Sequence, residues 1–158
     1  MYKTASFLTA SLLVGCSSTT NVENKIPATY EISGSWECEA VGDKIIELSY
    51  RDDVVYKNDS SFSKLSKMNF RLPNSDGIYW VKVSSNGTWE KNRNNLTEKN
   101  MQFTVVVDDK FPEAYVEQFK SEVTLPEKSI WALKLLEDGT IRKKSRHGQE
   151  LICHSVLR

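Results

Sequence analysis

Histidine is scarce in this chain of 158 residues, which carries two, His147 and His154. His147 sits in a basic turn, Arg146-His147-Gly148. His154 alternates with Cys153 in a strand-like run, so it points away from it. Neither has a cysteine or carboxylate at metal-ligand spacing, and a metal site is not expected. Also missing are a Gly-x-Ser-x-Gly elbow and a glycine-rich phosphate loop. The carboxylate pairs Asp52-Asp53 and Asp108-Asp109 read as lying in or near turns, and adjacent strand residues point to opposite faces, so acid/base cooperation within a pair is not expected. These absences argue against an enzyme and against a cofactor. Charge of one sign is not in excess either: 21 basic residues stand against 21 acidic ones, with no basic stripe. Nucleic acid is therefore not expected as a partner.

Long hydrophobic runs are absent too. The apolar stretch from Ala5 to Cys16, after the lone basic Lys3, is too short to span a bilayer and fits the h-region of a secretory signal. Its end, Leu13-Val14-Gly15-Cys16, resembles the lipobox of bacterial lipoproteins. The resemblance implies a signal peptide at 1–15, cleavage before Cys16 and acylation of Cys16 by fatty acid such as palmitate. A membrane would then be a partner through the N-terminal lipid. The other readings are an uncleaved anchor or an ordinary signal peptide containing a cysteine. Ser17-Ser18-Thr19-Thr20-Asn21 reads as the start of a flexible tether over 16–32. In lipoproteins Asp after the cysteine is associated with inner-membrane retention. Ser17 stands here and favours the outer membrane, facing the periplasm. In a bacterial host the sequons at Asn58, Asn86 and Asn95 are chance.

Residues 33–158 make one domain, large enough to bury a single core. Its pattern is mainly period two. Trp36, Cys38 and Ala40 share one face of a first strand. A second strand region runs from Lys44 to Tyr56, with a bulge or bend expected at Asp52-Asp53, where the alternation slips. Further strands are expected over 62–72, 78–83, 88–90 and 96–107. Between them, Ser84-Ser85-Asn86-Gly87 is either a hairpin turn or a bulge in one long strand. Phe111, Tyr115, Phe119 and Val123, at spacings of four, predict an amphipathic helix of about three turns, with Pro112 at its start and Pro126 beyond its end. The expectation is a lid packed on a barrel end. Strands return over 130–136, 140–146 and 149–156, with Asp138-Gly139 as a turn.

The predicted fold is mainly β: a single antiparallel meander barrel of about eight strands with one late helix, because closure removes unpaired edges. With Cys16 set aside for lipid, Cys38 and Cys153 form an even pair in an oxidising compartment. A bond between them requires the first and last strands to be neighbours, as a closed barrel provides.

Gly34-Ser35-Trp36 resembles the Gly-x-Trp signature of lipocalins. Gly87-Thr88-Trp89-Glu90, Leu96-Thr97-Glu98, Asp138-Gly139-Thr140 and Cys153-His154 are similar, in order, to features of small lipocalin-like bacterial proteins. Lipocalins usually pack a late arginine across the signature Trp, and Arg142, Arg146 and Arg158 are available. Ser75-Asp76-Gly77-Ile78-Tyr79 more faintly resembles a loop of periplasmic C-type lysozyme inhibitors.

Two functions follow as expectations. One is a non-catalytic envelope lipoprotein holding an apolar or amphipathic small molecule, with wall residues Trp36, Met68, Phe70, Phe103, Trp131 and Leu133 and lid residues Tyr115 and Phe119. The other is a periplasmic protein-interaction module whose barrel is filled: an inhibitor, a sensor component or an envelope assembly lipoprotein. A purely structural envelope lipoprotein is a third reading. The same aromatic and aliphatic residues would serve a filled core.

Overall fold

The computed structural model describes residues 30–42, 49–72 and 76–156. The acylation motif with Cys16, the tether as far as residue 29, the turn residues 73–75 and Arg158 lie outside the described residues. So do Lys44, Ile45, Ile46 and Leu48, expected to open the second strand.

Eight strands follow in chain order: β1 (Gly34–Ala40), β2 (Tyr50–Tyr56), β3 (Ser61–Arg71), β4 (Ile78–Asn92), β5 (Asn95–Val107), β6 (Lys128–Leu135), β7 (Ile141–Ser145) and β8 (Glu150–Ser155). One helix, α1 (Glu113–Glu122), lies between β5 and β6. Each strand pairs antiparallel with the next, and β8 returns to β1, closing the barrel. The expected meander barrel with a late helix is the fold.

The disulfide is also where the pairing pattern needs it. Cys38 and Cys153 are directly opposed in the β1–β8 ladder, and their sulfurs are bonded across a sequence separation of 115 residues. First and last strands are thus joined both by hydrogen bonds and covalently.

Alternation sorts the side chains, since directly opposed residues of an antiparallel pair share a face. Trp36, Val54, Lys64 and Ser85 form one row of the inner wall, and Cys38, Asp52, Ser66 and Val83 the next. Here one expectation is corrected. β2 runs without a register shift through Asp52 and Asp53, so there is no bulge and the pair is not in a turn. Asp52 simply occupies an inward position, fully buried. Asp53 points outward, between Arg51 and Lys67.

The irregularity lies instead at the other candidate. The register shifts between Asn86 and Gly87, within one continuous β4. A Cβ at Gly87 would stand 1.9 Å from the carbonyl oxygen of Lys99, so the close approach of β5 requires glycine there.

The two ends of the barrel differ. At one end lie the approach to β1, the tight turns at 57–60 and 93–94, and the connection at 136–140. Ile32 is buried there, and its carbonyl accepts a 2.8 Å hydrogen bond from the Trp36 indole Nε1–H. Tyr56, Phe62, Leu96 and Leu133 pack into the same cluster. At the other end the longer connections emerge, including 108–127 with α1. Phe119 stacks on Phe70 at a centroid distance of 5.4 Å, and Phe111 packs edge-on to Tyr79.

The helix starts where Pro112 places it, at the N-cap, with Glu113 in its first turn. It buries little: no residue of α1 is fully buried, and Tyr115 is 58% exposed. Its stripe is therefore anchored by Phe111, which precedes the helix, and by Phe119.

Candidate functional site in the barrel interior

The centre of the barrel holds charge. Glu98, Lys143, Lys64 and Tyr56 all point inward and all are buried. Four strands, β2, β3, β5 and β7, supply one position each, and alternation with Leu96, Ile141, Phe62 and Val54 turns them to the same side. Lys143 Nζ donates to Glu98 Oε1 at 2.8 Å and to the Tyr56 hydroxyl at 2.9 Å. Lys64 Nζ donates to Glu98 Oε2 at 3.0 Å. The Tyr56 hydroxyl in turn donates to Glu98 Oε1. Each carboxylate oxygen thus has a cationic donor.

Burial by itself would raise the Glu98 carboxyl. The ammonium groups of Lys143 and Lys64 outweigh it and hold Glu98 well below the usual carboxylate range. For Lys64 burial works against the charged form, but the charges of Glu98 and Asp52 prevail and raise it. Desolvation, with Glu98 beside it, pushes the Tyr56 phenol far up. The phenol stays protonated and acts as a donor. Aromatic faces complete the lining: Lys143 Nζ lies 4.7 Å from the Trp131 ring centroid and Lys64 Nζ 5.7 Å from that of Phe62.

A second polar group sits one row further in. Asp52 Oδ1 accepts a 2.6 Å hydrogen bond from Ser66, whose hydroxyl also receives the Tyr50 hydroxyl at 3.4 Å. Asp52 and Glu98 thus share the interior with Lys64 and Lys143. Complementary pairs hold the Glu98 cluster, whereas the second oxygen of Asp52 has no hydrogen-bond partner among the described residues. Each polar side chain of the Glu98 cluster has at least one hydrogen-bond partner within it, which suits rigidity.

The wall and lid residues expected from the sequence fall into two sets. Trp36, Trp131 and Leu133 are core side chains, packed with Tyr56, Phe62 and Leu96. Phe70 and Phe119 meet in the aromatic cluster at the wide end, the end of the longer connections and α1, opposite the narrow end of the tight turns. Met68 and Phe103 also face inward near that end, but are 37% and 42% exposed. Tyr115 does not join either set. Of the arginines, Arg142 pairs with Glu150 on the outer face and Arg146 lies in the β7–β8 turn. The cation packed on a core tryptophan is Lys143, and the tryptophan is Trp131 rather than Trp36.

The sequence reading missed the whole Glu98, Lys64, Lys143 and Tyr56 cluster. The signal was present: Glu98 is two residues from Leu96, Lys64 two from Phe62 and Lys143 two from Ile141, so each shares the face of a core residue.

Outside the barrel, a trough of about 530 Å³ crosses β1 to β5, floored by small outward residues such as Ser35, Val55, Ser63, Leu65 and Ser84. Among the described residues no group of three or more His, Cys, Asp or Glu is placed to hold a metal ion. No helix among them is long and apolar enough to cross a membrane.

No protein-family model matches the chain, and no curated protein matches it.

Proposed function

We propose that the protein is a bacterial envelope lipoprotein, anchored through Cys16 and facing the periplasm, whose lipocalin-like barrel is a non-catalytic protein-interaction module. One observation carries the choice over a ligand carrier. The middle of the lumen is occupied by the protein's own side chains: Tyr56, Phe62, Leu96, Glu98, Ile141 and Lys143 are each less than 2% exposed. An eight-stranded barrel either fills its interior in this way or leaves room for one ligand. A filled, disulfide-tied barrel presents a rigid outer surface, and recognition then belongs to that surface. The lipobox likeness of Leu13-Val14-Gly15-Cys16 supports the address, and the Gly-x-Trp likeness of Gly34-Ser35-Trp36 supports the class of barrel.

A second reading rests on the wide end. Met68 and Phe103 face the lumen yet remain accessible, and with Phe70 and Phe119 they would floor a shallow site for an apolar or amphipathic small molecule.

Native mass spectrometry of the full-length protein extracted from the envelope separates the two. The interaction reading expects a polypeptide beginning at Cys16 with covalent acyl mass and no further mass that leaves on denaturation. A small molecule released on denaturation overturns it in favour of the second reading. A chain without acyl mass removes the lipoprotein address from both.

A further inference from the structure

A cavity of about 300 Å³ lies where the start of β6 meets the β7–β8 turn. Three basic side chains line it: Lys128, Arg146 and His147. No carboxylate side chain lines it. Lys128 and Arg146 have no ion-pair partner among the described residues. This concentration of positive charge occurs in a chain whose charges balance overall, and other cations on the barrel wall, such as Arg51, Lys67 and Arg142, are paired with acids.

An independent observation comes from the wall. Trp131 lines the same cavity and is buried, yet its indole Nε1–H has no acceptor among the described residues. The indoles of Trp36 and Trp89 do have acceptors, the carbonyls of Ile32 and Lys57. A buried N–H without an acceptor is unfavourable, and a ligand oxygen would remove that cost. Ser145 and Gln149 add neutral hydrogen-bonding side chains to the lining. A larger depression next to it, of about 820 Å³, shares Ile130, Ser145 and Arg146 and contributes Arg93 and Lys144. It also contains one acid, Glu90.

We infer that this cavity binds an oxyanion, a phosphate-type group held by Arg146 and Lys128 with the Trp131 Nε1–H as the buried donor. Arginine supplies the planar fork for such a group and lysine a point charge. The ligand is either free phosphate or the phosphate of an anionic lipid headgroup, and both present the same oxygens. The inference does not depend on whether the rest of the barrel carries a ligand or a partner.

The test uses full-length protein in detergent micelles, with the four tryptophan indoles labelled with ¹⁵N. The Trp131 signal is identified by its loss in Trp131→Phe, with the other three indole signals retained as the check on folding. Inorganic phosphate is titrated at constant ionic strength. The expected result is a saturable shift of the Trp131 signal, with the Trp36 and Trp89 signals unmoved, and an affinity reduced about tenfold or more in Arg146→Gln and again in Lys128→Gln. In a parallel arm phosphatidylglycerol replaces phosphatidylcholine in the micelles. A Trp131 shift with phosphate assigns the site to the free anion; a shift with phosphatidylglycerol alone assigns it to the headgroup, and both support the site. If the Trp131 signal moves with neither, the site does not exist; if it moves in Arg146→Gln and Lys128→Gln as it does in wild type, there is an adventitious ion only, and in either case the proposal fails.

Discussion

The two ends of this barrel are built on opposite plans. Around Trp36, the Glu98 cluster and the Cys38–Cys153 bond, most inward side chains are buried, and the charges of the Glu98 cluster are paired. Toward α1 the strands β3, β4 and β5 run on past their neighbours, and β6 pairs with β5 through Asn95–Lys99 while Asn100–Val107 continues without it. There Met101, Phe103, Val106 and Tyr115 are exposed. The narrow end stores stability; the wide end has been left accessible. Sheet closure alone does not produce a filled barrel, because the stagger of long strands leaves one mouth with fewer neighbours.

The sharpest way to break the contrast is at Glu98. Glu98→Ala leaves Lys64 and Lys143 buried without their counter-charge, and a loss of about 3–5 kcal/mol in unfolding free energy is expected. Chemical denaturation measures it. Replacing Lys64, Glu98 and Lys143 together by methionine or leucine is expected to be nearly neutral, which would show that pairing rather than charge itself is required. The pH dependence follows from the same residues. Glu98 is depressed in the fold, so its contribution is present above the unfolded carboxylate value of about 4.3 and is lost as pH falls below it. Lys64 is raised, so its contribution is present below the unfolded value of about 10.4 and is lost above it. Wild type should be most stable between these limits, and Glu98→Gln should flatten the acid arm.

Removing the disulfide with Cys38→Ser and Cys153→Ser is the next largest effect. The bond closes a loop of more than a hundred residues, and its loss is expected to cost about 2–5 kcal/mol. Thermal unfolding under oxidising and reducing conditions reads it, and a reductant should have no effect on the double variant. Trp36→Phe removes the hydrogen bond to the Ile32 carbonyl while keeping most of the apolar volume, and about 1–2 kcal/mol is expected. At the wide end Tyr115→Ala should change stability by less than about 0.5 kcal/mol. Amide hydrogen exchange should follow the same order, with α1 exchanging faster than β1 and β8. A slow-exchanging α1 would dissolve the contrast.

Much of the narrow end could be read from the sequence, because period-two alternation, the turns and the even cysteine pair all pointed to one closed meander. The helix was legible from the spacing of Phe111, Tyr115 and Phe119, but its attachment was not, since the same stripe would serve a buried lid or a loosely held one. Asp52 misled for a physical reason. A carboxylate at an inward position looks like a break in alternation unless its partner is known, and Ser66 is 14 residues away. The same holds for Glu98, whose partners Lys64 and Lys143 are 34 and 45 residues distant. Long-range pairing of buried charges leaves no local mark. Alternation still gives the direction of each side chain, and trusting it over residue type would have found all four.

The covalent join between β1 and β8 also governs how load passes through the molecule. A pull on the N-terminal side enters at Gly34, at the start of β1. Peeling that strand from β2 and β8 in sequence is the easy way to dismantle a sheet from one end. Cys38 halts the peel two residues after Trp36, because from there any further extension must carry Cys153 and the whole of β8 with it. Strand separation beyond that point becomes a shearing of many hydrogen bonds at once instead of an unzipping one by one. A domain held by its N-terminus against moving surroundings would keep its shape until that bond was reduced.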